Sequence, residues 1–142
     1  MTVSVTRRMI SSAAALKAVE AAVAKGRERG VAVVAAVVDI GGELMACLRA
    51  DGAYSASFSI AKDKAYTAVV FGASTDALSN ALKDNPVLHH GIAIRPGVAL
   101  FGGGLRIVED GAVVGAIGVS GGSEDDDREF AKTGATAALV AA

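Results

Sequence analysis

A chain of 142 residues is long enough to fold as one domain around a single hydrophobic core. Its 14 Lys and Arg residues against 15 Asp and Glu residues give a formal charge of −1 and form no basic block, which argues against a nucleic-acid partner and an anionic membrane surface. Hydrophobic residues make up 52% of the chain but aromatic ones only 4%, so Ala, Val and Gly must build the core. The mean hydropathy of +0.45 is high for a monomer and predicts a homo-oligomer.

The single cysteine and the N-terminal sequence bear on the compartment. Cys47 has no partner for an internal disulfide and is typical of a reducing environment. Arg7-Arg8 before an apolar stretch resembles a twin-arginine signal, but Lys17 and Glu20 interrupt that stretch, which predicts an amphipathic helix instead. The charge-free runs elsewhere are too short and too Gly-rich to span a bilayer. We therefore expect a cytoplasmic protein.

Apolar periodicity and turn residues predict an alternation of helices and strands. In chain order, the expected elements are a helix from Ser11 or Ser12 to about Arg29, strands Val31–Asp39 and Glu43–Asp51, helices Ala53–Gly72 and Ser74–Asn85, a loop or single turn over Val87–Gly97, strands Val98–Phe101, Leu105–Glu109 and Ala112–Val119, and a helix from Glu124 to about Val140.

Two local patterns fix the architecture. The β-branched run Val31–Asp39 does not alternate with polar residues, which indicates a central strand buried on both faces. Short turns such as Asp110-Gly111, typical of type I′, join neighbouring strands as antiparallel hairpins. The order predicts an α+β sandwich, with a five-stranded antiparallel sheet flanked by helices, in a single domain over residues 1–142.

Glycine-rich segments are the first candidates for a ligand site. The segment Phe101–Leu105 lacks the Lys-Ser/Thr pair of a phosphate-binding loop, so its glycines either allow close packing or expose backbone N–H groups to a ligand. The glycines of the segment Gly118–Gly121 have the same two interpretations, either close packing or backbone N–H groups exposed to a ligand. The acids of Glu124–Asp127 complement a helix dipole and lack the spacing of a calcium loop, so no metal site is expected there. Ser123 with Asp126 resembles a capping box.

The two histidines, His89 and His90, are adjacent in the loop after Pro86. They are a solvent-exposed pair, or include one acid–base group or iron ligand, or include a buried imidazole with its hydrogen bonds satisfied. Consecutive residues of an extended loop point in opposite directions, so one imidazole is expected to face a cavity next to the glycine-rich segments. His89 is favoured because it follows the apolar residues Val87 and Leu88.

Several charged residues lie among apolar ones. Asp39 ends a strand and is expected to shape the turn Ile40–Gly42. Lys62 is placed on the apolar stripe of its predicted helix, where it either extends its amine to solvent or reaches a pocket and binds a carboxylate. Arg49 or Arg106 could hold a carboxylate through two hydrogen bonds.

Three longer stretches together resemble the GlcG/HbpS family, which includes the C-terminal domain of PduO-type proteins. They are "VVDIGGELMACLRADGA", "AKDKAYTAVVFGAST" and "FGGGLRIVEDGAVVGAIGVSGGSEDDDREFAKTG". The shared pattern is a strand ending in Asp, an Arg-x-Asp-Gly-Ala segment, a Lys-Ala helix, a Gly-Gly strand and a G-A-x-G-V-S-G-G run with a downstream Asp. The resemblance implies a profilin-like sandwich that assembles into homo-oligomers, in a family where some members bind haem and others accompany corrinoid or glycolate metabolism.

Two functions remain open at this point. One is a small-molecule binding protein that holds haem or another planar ligand, with a pocket near the glycine-rich strands or at a subunit interface. The other is a cofactor-independent isomerase, tautomerase or lyase acting on a small oxo-acid in a catabolic pathway, with an Arg binding the carboxylate and a His or Lys moving the proton. The residues expected to form the site are His89, His90, Lys62 and Arg49 as catalytic groups, and Asp39, Arg106, Phe101, Gly102, Gly103, Gly104, Gly118, Ser120 and Gly121 as ligand-binding ones.

Overall fold

The computed structural model describes residues 1–140. Within them, five helices and four strands alternate along the chain. They are α1 (Ser12–Glu28), β1 (Val34–Asp39), β2 (Leu44–Arg49), α2 (Ala56–Phe71), α3 (Thr75–Leu82), α4 (Pro86–Ala93), β3 (Gly104–Glu109), β4 (Ala112–Ser120) and α5 (Glu124–Ala138). The α+β class is confirmed.

The strands form one antiparallel sheet in the order β2-β1-β4-β3, with helices on both faces. Side chains alternate between the faces of a strand, so neighbouring residues of β4 meet different helices. Ile117 contacts α5, where a Cβ added at Gly134 would lie 2.4 Å from its Cδ1. Gly118 faces α2 and lies directly against the backbone of Ala61. Helices α1 and α5 thus cover one face, and α2 covers the other.

The central strand β1 is buried along nearly its whole length, as the β-branched run predicts. Its side chains are Val and Ala, and the buried positions of α1 are mainly Ala and Val as well. Phe130 of α5 is the large aromatic side chain in this core, with no exposed surface. Small side chains allow the helices to approach the sheet closely, which is how a chain poor in aromatics still fills its interior.

The expectation of a fifth strand over Val98–Phe101 is wrong, because within residues 1–140 the sheet has four strands. Side chains, not a neighbouring strand, bind the backbone of this segment. The Ala99 N–H donates to Thr67 Oγ1 at 2.9 Å, and the Gly102 N–H donates to Glu124 Oε1 at 2.9 Å. These two N–H groups, one in the segment and one directly after it, are thus satisfied without a ladder partner.

Helix α4 lies where the sequence predicts a loop or single turn. Pro86 occupies its first turn, and the Asn85 side chain accepts a hydrogen bond from the Leu88 N–H at 3.1 Å. An Asn cap followed by Pro is a strong start for a helix. Gly91 and the two histidines weaken the helical pattern in the sequence, and for this reason the sequence predicts a loop or single turn here instead of a helix.

Two turn and cap predictions are confirmed. Asp110 and Gly111 both have positive φ angles, 49° and 79°, as a type I′ turn requires. The Ser123 side chain accepts from the Asp126 N–H, and the Asp126 carboxylate accepts from the Ser123 N–H, which completes the capping box of α5. Among the described helices, none is both long and apolar enough to cross a bilayer.

Candidate functional site

Helix α2 buries a lysine, but that lysine is Lys64 and not Lys62. The buried side of α2 is formed by residues such as Ala61, Lys64, Ala65 and Ala68, whereas Lys62 is exposed. The sequence predicts an inner stripe of Phe58, Ala61, Ala65 and Val69. Ala61 and Ala65 are indeed fully buried, but Phe58 is 42% exposed, and Lys62, four residues after it, is exposed as well. Lys64 is 1% exposed and is one of the largest fully buried side chains of the described residues.

The ammonium of Lys64 is held by two acceptors and an aromatic ring. It donates to the Val119 carbonyl at 2.8 Å and to Asp127 Oδ2 at 3.0 Å. The ring centroid of Phe101 lies 4.9 Å from Nζ, within cation–π range. A buried charge needs such partners, because water cannot reach it. Lys64 therefore connects α2, the end of β4, α5 and the Phe101 loop.

Asp127 is the acidic partner and is itself buried near the start of α5. Its Oδ1 accepts from the Gly122 N–H at 3.0 Å while Oδ2 accepts from Lys64. Burial raises the pKa of the Asp127 carboxyl, and the nearby Lys64 charge opposes that rise. The carboxylate thus ties the glycine-rich turn after β4 to α2.

The segment from Gly97 to Gly104 is tied to the body of the molecule by side chains of two threonines and a glutamate. Thr67 Oγ1 accepts from the Ala99 N–H, and Thr75 Oγ1 accepts from the Gly104 N–H at 3.0 Å. Both threonines are fully buried. This segment is therefore firmly positioned, and it presents Phe101 half-exposed at the surface above Lys64.

The glycines of β3 and β4 serve close packing. A Cβ added at Gly118 would lie 2.0 Å from the Ala61 carbonyl oxygen, and one at Gly104 would lie 2.4 Å from that of Lys64. One added at Gly121 would lie 2.8 Å from the Ala32 carbonyl oxygen. Helix α2 and the side chain of its buried Lys64 thus lie directly against Gly103, Gly104 and Gly118. Ser120 is buried in the same layer.

A shallow cleft of about 170 Å³ borders Gly103 and Gly104 from the side of α5. Of its two cations, Arg128 and Lys132, Arg128 is already paired. The guanidinium donates two hydrogen bonds to Asp76, each 2.9 Å, and further ones to Glu124 and Asp125. These carboxylates, Asp76 first, raise the pKa of Arg128. The second cation at the cleft, the exposed Lys132, has no ion-pair partner among residues 1–140.

The histidines lie on α4, the most loosely packed helix of the described part, which buries none of its own residues. Successive residues of a helix are about 100° apart, so the opposite orientations expected of an extended loop do not apply. His89 is half-buried, and His90 is exposed between Val87 and Ile94, its neighbours at positions i−3 and i+4. Across residues 1–140, neither imidazole takes part in a side-chain hydrogen bond or an ion pair.

The remaining candidates are spread over the molecule. Arg49 is exposed on β2 and Arg106 is exposed on β3, at opposite edges of the sheet. Three strand spacings of about 4.8 Å separate those edges, roughly 14 Å. Lys62 is exposed on α2, and the histidines are on α4. The structure does not bring an arginine, a lysine and a histidine together in one cleft.

Asp39 stabilises the turn after β1, as the sequence predicts. Its Oδ1 accepts from the Gly41 N–H at 2.8 Å and from the Glu43 N–H at 3.1 Å. An Asp that accepts from backbone N–H groups further along the chain stabilises a tight turn. Both hydrogen bonds come from the backbone of the turn itself, which gives Asp39 a structural part in the β1–β2 hairpin.

Replacing Asp39 with Ala is expected to lower the free energy of unfolding by about 1 to 2 kcal/mol, because two turn N–H groups lose their acceptor. Urea denaturation of the variant at fixed protein concentration measures this loss. Asp51→Ala is the matched control, since Asp51 is an exposed acid at the other end of β2 without a side-chain hydrogen bond among residues 1–140. Equal losses in the two variants would contradict the assigned part of Asp39.

Comparison with known protein families settles the relationship that these elements indicate. The family model described as "Haem degrading protein HbpS-like" matches residues 10–136, which is nearly the whole of the described chain. The chain belongs to the HbpS-like family. The resemblance seen in the sequence is thereby confirmed, including the link to PduO, and the family match spans all five helices but for the last two residues of α5.

Two curated relatives show how the HbpS-like chain compares with whole proteins. An uncharacterized 15.0 kDa protein from the dhaT-dhaS intergenic region of Citrobacter freundii is 39% identical over 126 residues, covering 87% of this chain and 88% of that protein. The corrinoid adenosyltransferase PduO of Salmonella typhimurium is 34% identical over 122 residues, covering 84% of this chain. The match takes in only 36% of PduO, so this chain corresponds to about a third of that protein.

Three solved structures share the fold of this HbpS-like chain. The Klebsiella pneumoniae protein ORFY superposes with a TM-score of 0.90 at 32% identity, covering 97% of this chain and 96% of that one. HbpS gives a TM-score of 0.85 at 36% identity, with 94% and 93% coverage. A haem complex of PduOC gives 0.81 at 30% identity, with 91% and 94% coverage.

Sequence reasoning missed Asp127 and passed over Lys64, although a signal for both was present. The Lys-Ala helix of the family pattern corresponds to Lys64-Ala65, and its downstream Asp falls among the acids that open α5. The pattern gives no distance between these residues, which are 63 positions apart. Only the packing of α2 against the end of β4 brings them into contact.

Proposed function

We propose that this chain is a haem-binding protein of the HbpS type, which holds haem or another planar tetrapyrrole-like ligand against helix α4. The observation that carries the proposal is the surface of α4. It combines two imidazoles that make no hydrogen bond within residues 1–140 with exposed apolar side chains on the same helix. Val87, which is 84% exposed, and Ile94, which directly follows α4 and is 69% exposed, flank His90.

The chemistry of these groups fits haem. A neutral imidazole is a common axial ligand of haem iron, and aliphatic side chains suit the faces of the macrocycle. Gly91, next to His90, has nothing within 4 Å of an added Cβ, so the helix surface is open there. Bound haem would supply ligand exchange and redox chemistry at its iron, while the chain supplies the imidazole and the apolar contact.

His90 is the better placed of the two histidines for this role. It is exposed among apolar neighbours, whereas His89 is half-buried beside Ile92 on the side of α4 that faces the body of the molecule. The sequence favours His89 only on the assumption of an extended loop. We therefore assign the ligand to His90 and keep His89 as its alternative.

Charged groups near α4 suit the carboxylates of a tetrapyrrole. Arg95 follows the helix by two residues and is exposed, without an ion-pair partner among residues 1–140. A guanidinium binds a carboxylate through two parallel hydrogen bonds. Phe101, on the segment that follows α4 in the chain, adds an exposed aromatic ring of the kind that lines such sites. Arg106 remains a second candidate for a carboxylate.

A single copy of the chain covers only one side of a flat ligand lying on an exposed helix. Ligand sites in proteins usually bury most of the ligand surface. We therefore place the site at an interface between copies, consistent with the high mean hydropathy of +0.45. The relatives support the proposal: the family model names haem degradation, and PduOC has been solved as a haem complex.

The alternative of an oxo-acid isomerase lacks a comparable observation. It requires an arginine and a proton-moving group in one cleft, and the candidate arginines lie at opposite edges of the sheet. Measuring proton exchange into a small oxo-acid in the same histidine variants would reveal such an activity.

Replacing His90 with Ala is expected to weaken haemin binding at least about tenfold, or 1.4 kcal/mol, because the iron loses its ligand. His89→Ala tests the alternative, and Asn80→Ala on the exposed side of α3 is the control. Titration of each variant with haemin, followed by the Soret band, measures the affinities. A loss confined to His89→Ala would move the ligand by one residue. Two unchanged histidine variants would refute α4 as the site.

A further inference from the structure

The first nine residues form an extended arm that exposes apolar side chains. Val3 and Val5 are exposed, and the arm has no helix or strand before it meets the body of the molecule at Ile10. There the Ile10 N–H donates to the Val114 carbonyl at 2.8 Å, and the Ile10 side chain is buried. The arm is thus fixed to the body of the molecule at Ile10, whereas the exposed side chains of Val3 and Val5 do not hold the rest of the arm in place.

A groove lies beside that anchor. It has a volume of about 270 Å³ and is lined by the base of the arm (Met9 to Ser11), by α1, by the β3–β4 hairpin and by the end of α5. Apolar side chains there, such as Ile107, Val114 and Leu139, share the lining with Ser11, Glu109 and backbone polar atoms. At about 30 Å³ per molecule, this is the space of roughly nine waters, which is enough to admit branched aliphatic side chains. Glu109 lies at its rim.

The arm of the same chain is poorly suited to fill this groove. Residues 1–9 contain no Gly, Pro, Asn or Asp, and Thr and Val favour extended backbone. A return from Val5 into a groove next to Ile10 would need a tight reversal within a few residues. Extended chain rises about 3.3 Å per residue, so Val3 can instead reach roughly 20 Å beyond the anchor.

The charges fit a second copy. On its own chain, Arg8 pairs with Glu109 and lies 4.0 Å from Asp110, which shows that the rim attracts the basic part of the arm. Arg7 is exposed and has no ion-pair partner among residues 1–140. In a two-fold arrangement, each arm would bring its Arg7 to the acidic rim of the other copy while its valines enter the groove.

We propose that residues 1–9 exchange between two copies of this chain, with Val3 and Val5 of each copy buried in the groove of the other. The contact is isologous, so both arms and both grooves are used. The proposal is independent of haem, because neither the arm nor the groove includes α4.

Disulfide trapping tests the contact directly. In a Cys47→Ser background, one chain carries Val5→Cys and a second chain of different tag length carries Ala14→Cys, and the two are unfolded, mixed, refolded and oxidised. We expect a covalent heterodimer on a non-reducing gel. Ala24→Cys, on the exposed side of α1, replaces Ala14→Cys in the control mixture and is expected to give several-fold less product. Equal yields in the two mixtures would overturn the proposal.

Substitution at alternating positions of the arm gives a second test. Val3→Asp with Val5→Asp is expected to weaken self-association at least tenfold, measured by light scattering across a dilution series. Thr2→Asp with Thr6→Asp adds the same charge at the polar positions of the same arm and is expected to change it less than threefold. Indistinguishable dilution curves for the two double variants would overturn the burial of the valines.

Discussion

Replacing Asp127 with Ala is expected to lower the free energy of unfolding by about 3 to 5 kcal/mol, because it leaves the Lys64 ammonium buried with an uncompensated charge. Lys64 is 1% exposed, and its remaining acceptor would be the Val119 carbonyl. The Gly122 N–H would lose its acceptor as well. Urea denaturation at one protein concentration measures the loss, since the stability of an oligomer depends on concentration.

Two further variants separate the ion pair from general damage to the core. Lys64→Met combined with Asp127→Ala removes both charges and is expected to recover part of the loss, because a pair of apolar groups leaves no buried charge. Lys62→Met, two residues away on the exposed side of α2, is expected to change stability by less than about 0.5 kcal/mol. A similar loss in Lys62→Met and Asp127→Ala would contradict the description of α2.

Replacing Gly118 with Ala is expected to cost about 3 kcal/mol, the upper end of the usual range for overpacking a core. The added Cβ would lie 2.0 Å from the Ala61 carbonyl oxygen, and that atom belongs to helix backbone that cannot turn aside. Helix α2 would have to move away from the sheet, which would also disturb the Lys64 hydrogen bonds. The loss is measured by urea denaturation, with the slope of the transition as a check on compactness.

Gly91→Ala is the matched control for this substitution. A Cβ at Gly91 meets nothing within 4 Å, and the residue lies inside α4, so the change is expected to stabilise the chain by about 0.5 to 1 kcal/mol. A neutral result at Gly118 would show that the sheet and α2 are less closely packed than described.

The α+β class, the buried strand β1 and the helix caps could be predicted because each depends on neighbours in the sequence. A β-branched run indicates a central strand by itself, and Ser123 with Asp126 fits a capping box within four residues. The same kind of reasoning gave a wrong prediction for the segment Val98–Phe101. Its composition suits a strand, but its Ala99 N–H donates to Thr67 and the N–H of the adjoining Gly102 donates to Glu124, and both acceptors are distant in sequence and become neighbours only in the fold.

In the candidate site, too, the features that depend on neighbouring residues could be predicted, whereas those that depend on the fold could not. The turn at Asp39 is local and was predicted correctly. The choice between Lys62 and Lys64 depended on which side of α2 faces the sheet, and Phe58 gave a misleading answer because large apolar residues also occur at exposed positions. The glycines of β4 could be recognised as unusual, but only the position of the Ala61 backbone shows that they serve packing.

The central claim, that this chain binds haem through α4, is tested most directly by haemin titration of the intact protein beside a His89→Ala, His90→Ala double variant. We predict a saturable Soret transition with a fixed haem-to-chain ratio in the natural sequence, and its loss in the double variant with the fold retained by circular dichroism. An equal, saturable transition in both proteins would contradict α4 as the binding surface, and no saturable transition in either would contradict haem as the ligand.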